Sequence, residues 1–232
     1  MPSLAEPFPP PPFIGFPPDG LAFLRELTAN NERAWFNANK ARYETAVRDP
    51  LISLAATLAP RLAKDKLPLG ADPTKSMFRI HRDVRFSKDK SPYKTHAGAV
   101  HSRNGEKMAP GSLYVHIDPA GSMVVAGFYM PEPPVLAKLR RAVVEDPKGW
   151  AKVEAALRRA GLALETTDAI TRLPKGFETA PPGLAGTLKL KSWYVKQDLS
   201  AAEIKSAALI ETLAKFANKA APLLAFGWAV ID

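Results

Sequence analysis

The chain predicts an α+β fold, a mostly antiparallel central sheet flanked by N-terminal, middle and C-terminal helices, and three patterns carry that expectation. Apolar residues recur at helical spacing from Leu21 to Leu62 and again from Leu136 to Ala220. Between Met77 and Met130 they alternate with polar residues instead, and Asp118-Pro119-Ala120-Gly121 places the residue order of a tight turn inside that alternating stretch.

The first eighteen residues stand apart. Pro9 to Pro12 and Pro17-Pro18 can continue neither a helix nor a ladder and favour polyproline II, so residues 1–18 are expected to form a disordered proline-rich tail and residues 19–232 a single domain. Asp19 then caps a helix carrying Leu21, Leu24 and Leu27, and Asn31-Glu32 opens a second with Trp35, Asn39, Tyr43 and Val47 on one side. Pro50 suits the first turn of a third, with Leu51, Leu54, Leu58 and Leu62 at helical spacing before Pro68 and Gly70.

From Met77 the period changes to two. Phe78, Ile80, Val84 and Phe86 fall on one face of a predicted strand, and Arg79, His81, Asp83 and Arg85 on the other. Arg82 interrupts the apolar face. Ser87 to Pro92 reads as a turn, Ala97 to His101 as a short strand, and Leu113 to Met130 as a hairpin around the Asp118–Gly121 turn. Helices are predicted from Pro133 or Pro134, with Leu136, Leu139 and Val143, and from Pro147 to before Gly161. Leu188, Leu190 and Trp193 suggest a further strand, Ser200-Ala-Ala-Glu203 is a capping box, and Leu209, Leu213, Phe216 and Ala220 give the last helix its buried stripe.

Composition narrows the chemistry. With no cysteine, disulfides, thiolate metal sites and thiol nucleophiles are excluded. The N-terminus has no basic end followed by an apolar run, and no stretch approaches the roughly 18 apolar residues of a membrane span, so a cytoplasmic location is expected. A net charge of +9 favours anionic partners. Most of the excess is local: between Lys75 and Lys107, nine lysines and arginines face only Asp83, Asp89 and Glu106.

The run Arg79-Ile80-His81-Arg82-Asp83-Val84-Arg85-Phe86-Ser87-Lys88-Asp89-Lys90-Ser91-Pro92-Tyr93-Lys94 is the densest collection of site-capable side chains. Together with Asn30-Asn31-Glu32-Arg33-Ala34-Trp35-Phe36, Tyr114-Val115-His116-Ile117, Gly127-Phe128-Tyr129-Met130-Pro131 and Pro174-Lys175-Gly176-Phe177, it makes the stretch from Phe16 to Leu224 resemble a widespread bacterial and fungal family, the domain of unknown function number 2461. That resemblance carries no established activity.

The residues themselves favour a site for a phosphorylated or other anionic ligand. Arg79, Arg82 and Arg85 are the expected clamps, Asp83 and Asp89 their orienters, Lys88, Lys90 and Lys94 added charge, and Tyr93 and His116 donors. No cofactor is expected. Whether the chain is an enzyme stays open; Tyr93, His96 and His116 are the candidates for acid–base work. Two pairs, His81-x-Asp83 and His116-x-Asp118, offer an alternative metal site if neighbouring strands present them together. Nucleic-acid binding is a further alternative, because Lys189, Lys191, Trp193, Tyr194 and Lys196 interleave cations with aromatics. The remaining alternative is that the charged segment is a salt-bridge network with a purely structural role. No phosphate-binding loop, nucleophile elbow or dinucleotide fingerprint occurs.

Overall fold

In the computed structural model, which describes residues 10–72 and 75–232, four strands form one antiparallel sheet in chain order: β1 (Ala97–Ser102), β2 (Ser112–Ile117), β3 (Ser122–Phe128) and β4 (Trp193–Leu199). The predicted α+β class is therefore the observed one. Alternation decides which face is buried. Leu113, Val115 and Ile117 of β2, Val124, Ala126 and Phe128 of β3, and Trp193 and Val195 of β4 are all at most 1% exposed, whereas Tyr114, His116, Met123, Val125 and Tyr194 on the opposite face are only half-buried.

Helices cover the apolar face. Helix α1 (Pro18–Ala29) is followed by α2 (Arg33–Ala38) and α3 (Lys40–Tyr43), which continues through a wide π turn over Glu44–Arg48 into α4 (Asp49–Lys64). The expected second and third helices thus run into one another; Pro50 sits in the first turn of α4, directly after the π turn. The middle pair, α5 (Pro133–Glu145) and α6 (Pro147–Arg159), starts where predicted, α6 ends before Gly161 as expected, and Asp146 caps α6 by accepting from the Gly149 N–H. Short α7 (Ala185–Leu188) precedes β4, while α8 (Ala201–Ile204) and α9 (Leu209–Ile231) close the chain. Helix α9 lies against β3, β4, α4, α5 and α6, and α4 reaches β1.

Several expectations are corrected. Leu188 belongs to α7 and the strand begins only at Trp193. The Ser200–Glu203 capping box forms with both reciprocal bonds, but opens α8; a separate helix carries the long apolar stripe. The proline-rich stretch is not detached along its second half: Phe13 and Phe16 are 4% and 2% exposed, the Phe13 N–H donates to Thr57 Oγ1, and the Phe16 N–H donates to the Ile204 carbonyl. Burying two phenylalanines is worth about 1.5–3 kcal/mol each, which the polyproline reading did not weigh. Residues 1–9 of the expected tail lie outside the described residues.

The largest correction concerns the strand expected from Met77 to Phe86. Only residues 76–78 follow the outer edge of β1, with the Phe78 N–H donating to the Gly98 carbonyl and the Val100 N–H to that of Ser76. The chain then folds back on itself, joined by Arg82 N–H to Pro92 carbonyl and Lys94 N–H to Ile80 carbonyl, so residues 80–94 form a narrow ribbon with a charged tip. Ile80 is buried, yet Phe86 is 94% exposed. Arg82 is the physical reason: a strand that buried Phe86 and Val84 would bury that guanidinium beside them, at a cost of several kcal/mol.

Candidate functional site

The ribbon and the open sheet face divide the charged residues between them. At the tip Arg82 pairs with Asp89, and Arg85 with Asp83 through both its Nε and its Nη2, the latter at 2.6 Å. The Arg85 guanidinium and backbone N–H hold the Asp83 carboxyl down to about 2, and hydrogen bonds from Ser91 with the Arg82 pair lower that of Asp89. Lys90 Nζ donates to the Val84 carbonyl, and Lys88 is exposed. Tyr93 is 3% exposed and stacked on Phe36 with ring centroids 4.1 Å apart, while Asn31 grips its backbone, accepting from the N–H and donating to the carbonyl. The expected donor is thus a structural clasp between the ribbon and α2.

Beside this clasp lies a cleft of about 300 Å³ lined by Arg33, Asn37, His81, Arg82, Val84, Pro92 and Tyr93. His81 is exposed, near the Phe36 and Tyr93 rings. The cleft's Arg82 is already neutralised by Asp89.

A second group forms where the ribbon meets the sheet. Lys94 Nζ lies 5.1 Å from the Phe78 ring centroid, Lys107 Nζ lies 6.0 Å from it on a second approach, and Phe78 itself meets Tyr114 edge-on. Partial burial, followed by the charges of Arg79 and Lys107, pushes the Lys94 ammonium below its ordinary pKa. Among the described residues, none of Arg79, Lys94 and Lys107 has a carboxylate within ion-pair distance.

The strand register brings three further groups to the same place. Ala97 pairs with Ile117 and Gly98 with His116, so His96 and Asp118 emerge one step beyond the last pair on the face that carries His116 and Tyr114. The His96 and His116 rings are 4.6 Å apart, His116 Nε2 is 3.5 Å from Asp118 Oδ2, and His116 Nδ1 is 2.8 Å from Tyr114 Oη. Burial, reinforced by His116, drops His96 to about 4; burial also lowers His116 and raises the Tyr114 phenol to about 12. Near pH 7 both imidazoles are therefore neutral and the phenol keeps its proton.

A family model described as a conserved hypothetical protein (DUF2461) matches residues 19–226. The chain belongs to the DUF2461 family. No curated protein and no solved structure matches it. Two of the motif pieces that carried the DUF2461 resemblance, residues 30–36 and 79–94, meet at the cleft and the Tyr93 clasp.

Of the sequence-predicted residues, Arg79 and Lys94 reach the unpaired cationic group, whereas Arg82, Asp83, Arg85 and Asp89 satisfy one another. His81 and Asp83 do not join His116 and Asp118; His96 does. Lys107, Phe78 and Tyr114 were missed as site residues. Tyr114 alone was legible, since alternation already set it on the face of His116 and Asp118. In the aromatic stretch proposed for nucleic acid, Trp193 is fully buried against Trp150, and Lys196 lies 3.4 Å from Glu165. Among the described residues no helix is long and apolar enough to cross a membrane.

Proposed function

We propose that the chain binds a small phosphorylated or similarly charged anion on the open sheet face, over Phe78 and between Arg79, Lys94 and Lys107. One observation carries this: the charges of exposed Arg79 and half-buried Lys107 reach the half-buried Lys94 ammonium, and among the described residues none of the three has a carboxylate within ion-pair distance. Such an arrangement is self-repulsive, and an anion relieves the repulsion while replacing the water that burial removes. Tyr114 supplies a neutral O–H donor at the rim, and the Lys107 ammonium, anchored by donating to the Met77 carbonyl, is held in place for the ligand.

Thermal shift and calorimetry with inorganic phosphate and pyrophosphate, against chloride at equal ionic strength, test the reading. Specific stabilisation is expected in the wild type and in Arg85→Ala, and its loss in Lys94→Met and Arg79→Ala. If instead Arg33→Ala abolishes the response and Lys94→Met leaves it intact, the anion belongs in the cleft beside α2 and the proposal fails.

A further inference from the structure

We propose that His96, His116 and Asp118 bind one divalent transition-metal ion of the zinc class at the end of the β1–β2 ladder. One ligand atom from each lies within 4.8 Å of the other two, a spread that small side-chain rotations close to a single coordination sphere. Two imidazole nitrogens and one carboxylate oxygen form the donor set of open metal sites, with further positions left for water or substrate. This goes beyond the anion reading and does not depend on it.

Backbone geometry holds the three groups together before any ion arrives. His116 stands opposite Gly98, and the His96 ring lies against that of His116. A Cβ on Gly98 would sit 2.6 Å from Tyr114 Oη, so the same glycine admits the Tyr114 ring. Asp118 is fixed by its own turn: Oδ1 accepts from the Ala120 N–H at 2.8 Å, which turns Oδ2 toward His116. The contact between Oδ2 and His116 Nε2, at 3.5 Å, is too long for a good hydrogen bond. It therefore does not by itself account for bringing a half-buried carboxylate to two half-buried imidazoles.

The supporting contact is also of the right kind. With Tyr114 Oη accepting from His116 Nδ1–H, the Nε2 lone pair is free and points toward Asp118, the tautomer that an Nε2 ligand requires. Lys94 and Arg82 act in the opposite sense, since their charges reach His96. They weaken the site and favour an exchangeable ion over a locked structural one.

The test uses the full chain after chelator treatment, titrated with Co²⁺ by visible absorption and with Zn²⁺ by calorimetry. One equivalent is expected to bind, with Zn²⁺ displacing Co²⁺ and its ligand-field bands. His96→Ala, His116→Ala and Asp118→Asn should each lower affinity by at least the roughly 10–100-fold that loss of an outer-shell partner costs, while His81→Ala leaves it unchanged. Asp118→Asn is nearly isosteric, and its apo melting curve and circular dichroism report whether the fold survives. Absence of one-equivalent binding in the wild type overturns the proposal. So does undiminished affinity in folded Asp118→Asn and His96→Ala.

Discussion

Acidification between pH 6.5 and 4 should destabilise the protein chiefly through its buried histidines, and His101 gives the effect a magnitude. Its side chain on β1 is 0% exposed; Nε2 is 3.3 Å from the Ala55 carbonyl of α4, and Nδ1 has no partner. The neutral ring with Nε2–H donating to Ala55 fits that environment. A second proton on Nδ1 would be a buried charge facing apolar neighbours, and burial accordingly lowers the group from 6.5 to about 4. Because the folded-state pKa is the lower one, the unfolded chain binds the proton first as pH falls. Stability is lost progressively from about pH 6.5 down to about 4, and the loss levels off below that. At about 1.4 kcal/mol per pH unit the single site accounts for about 3 kcal/mol, or about 6–12 °C in melting temperature for a chain of this size. Urea unfolding of the wild type and His101→Met at intervals from pH 7 to 4.5 isolates it from His96 and His116, which titrate in the same direction in both proteins. Methionine fills similar volume without titrating, so its stability should fall less steeply by the equivalent of one proton. Parallel curves for the two proteins would refute the reasoning.

Three further outcomes separate structural from surface roles. Tyr93→Ala should cost about 3–5 kcal/mol by emptying the slot against Phe36; an unchanged denaturation midpoint would show that the ribbon is not clasped to α2. Arg82→Ala should cost under about 1 kcal/mol, because its Asp89 partner is 56% exposed and solvated, and a loss of several kcal/mol measured by urea unfolding would contradict this. Gly98→Ala should displace the Tyr114 ring at a cost of about 1–3 kcal/mol, and the histidine ring signals in NMR should shift with it; unperturbed His116 resonances would show that the contact is not tight.

Where periodicity alone decides, the sequence was a good guide. The β2–β3 hairpin, α5, α6 and the stripe of α9 each follow from residues that must be buried on one side, and each lies close to where spacing puts it. Periodicity failed at residues 79–86 because an alternating pattern records which side chains could share a face, not whether a neighbouring strand exists. Past Phe78, among the described residues, no strand pairs with that edge of the sheet, and the chain pairs with itself and exposes Phe86. The four residues named for the metal alternative do not all come together, for the same reason. His116 and Asp118 lie side by side as their spacing suggests, but the third group beside them is set by interstrand register. That register selects His96 and excludes His81.

Register also explains how this fold can hold costly groups without losing stability. Moving β2 by one residue would turn Tyr114 and His116 into the core and Leu113, Val115 and Ile117 outward. Five strand positions with essentially no solvent exposure, Leu113, Val115, Val124, Ala126 and Val195, oppose that slip. The apolar face thus fixes the geometry of the open face, and the unpaired cations and neutral imidazoles there contribute little to folding. Their substitution should change ligand binding far more than it changes the unfolding midpoint. The exceptions are Gly98 and Tyr114, where the open face is itself packed.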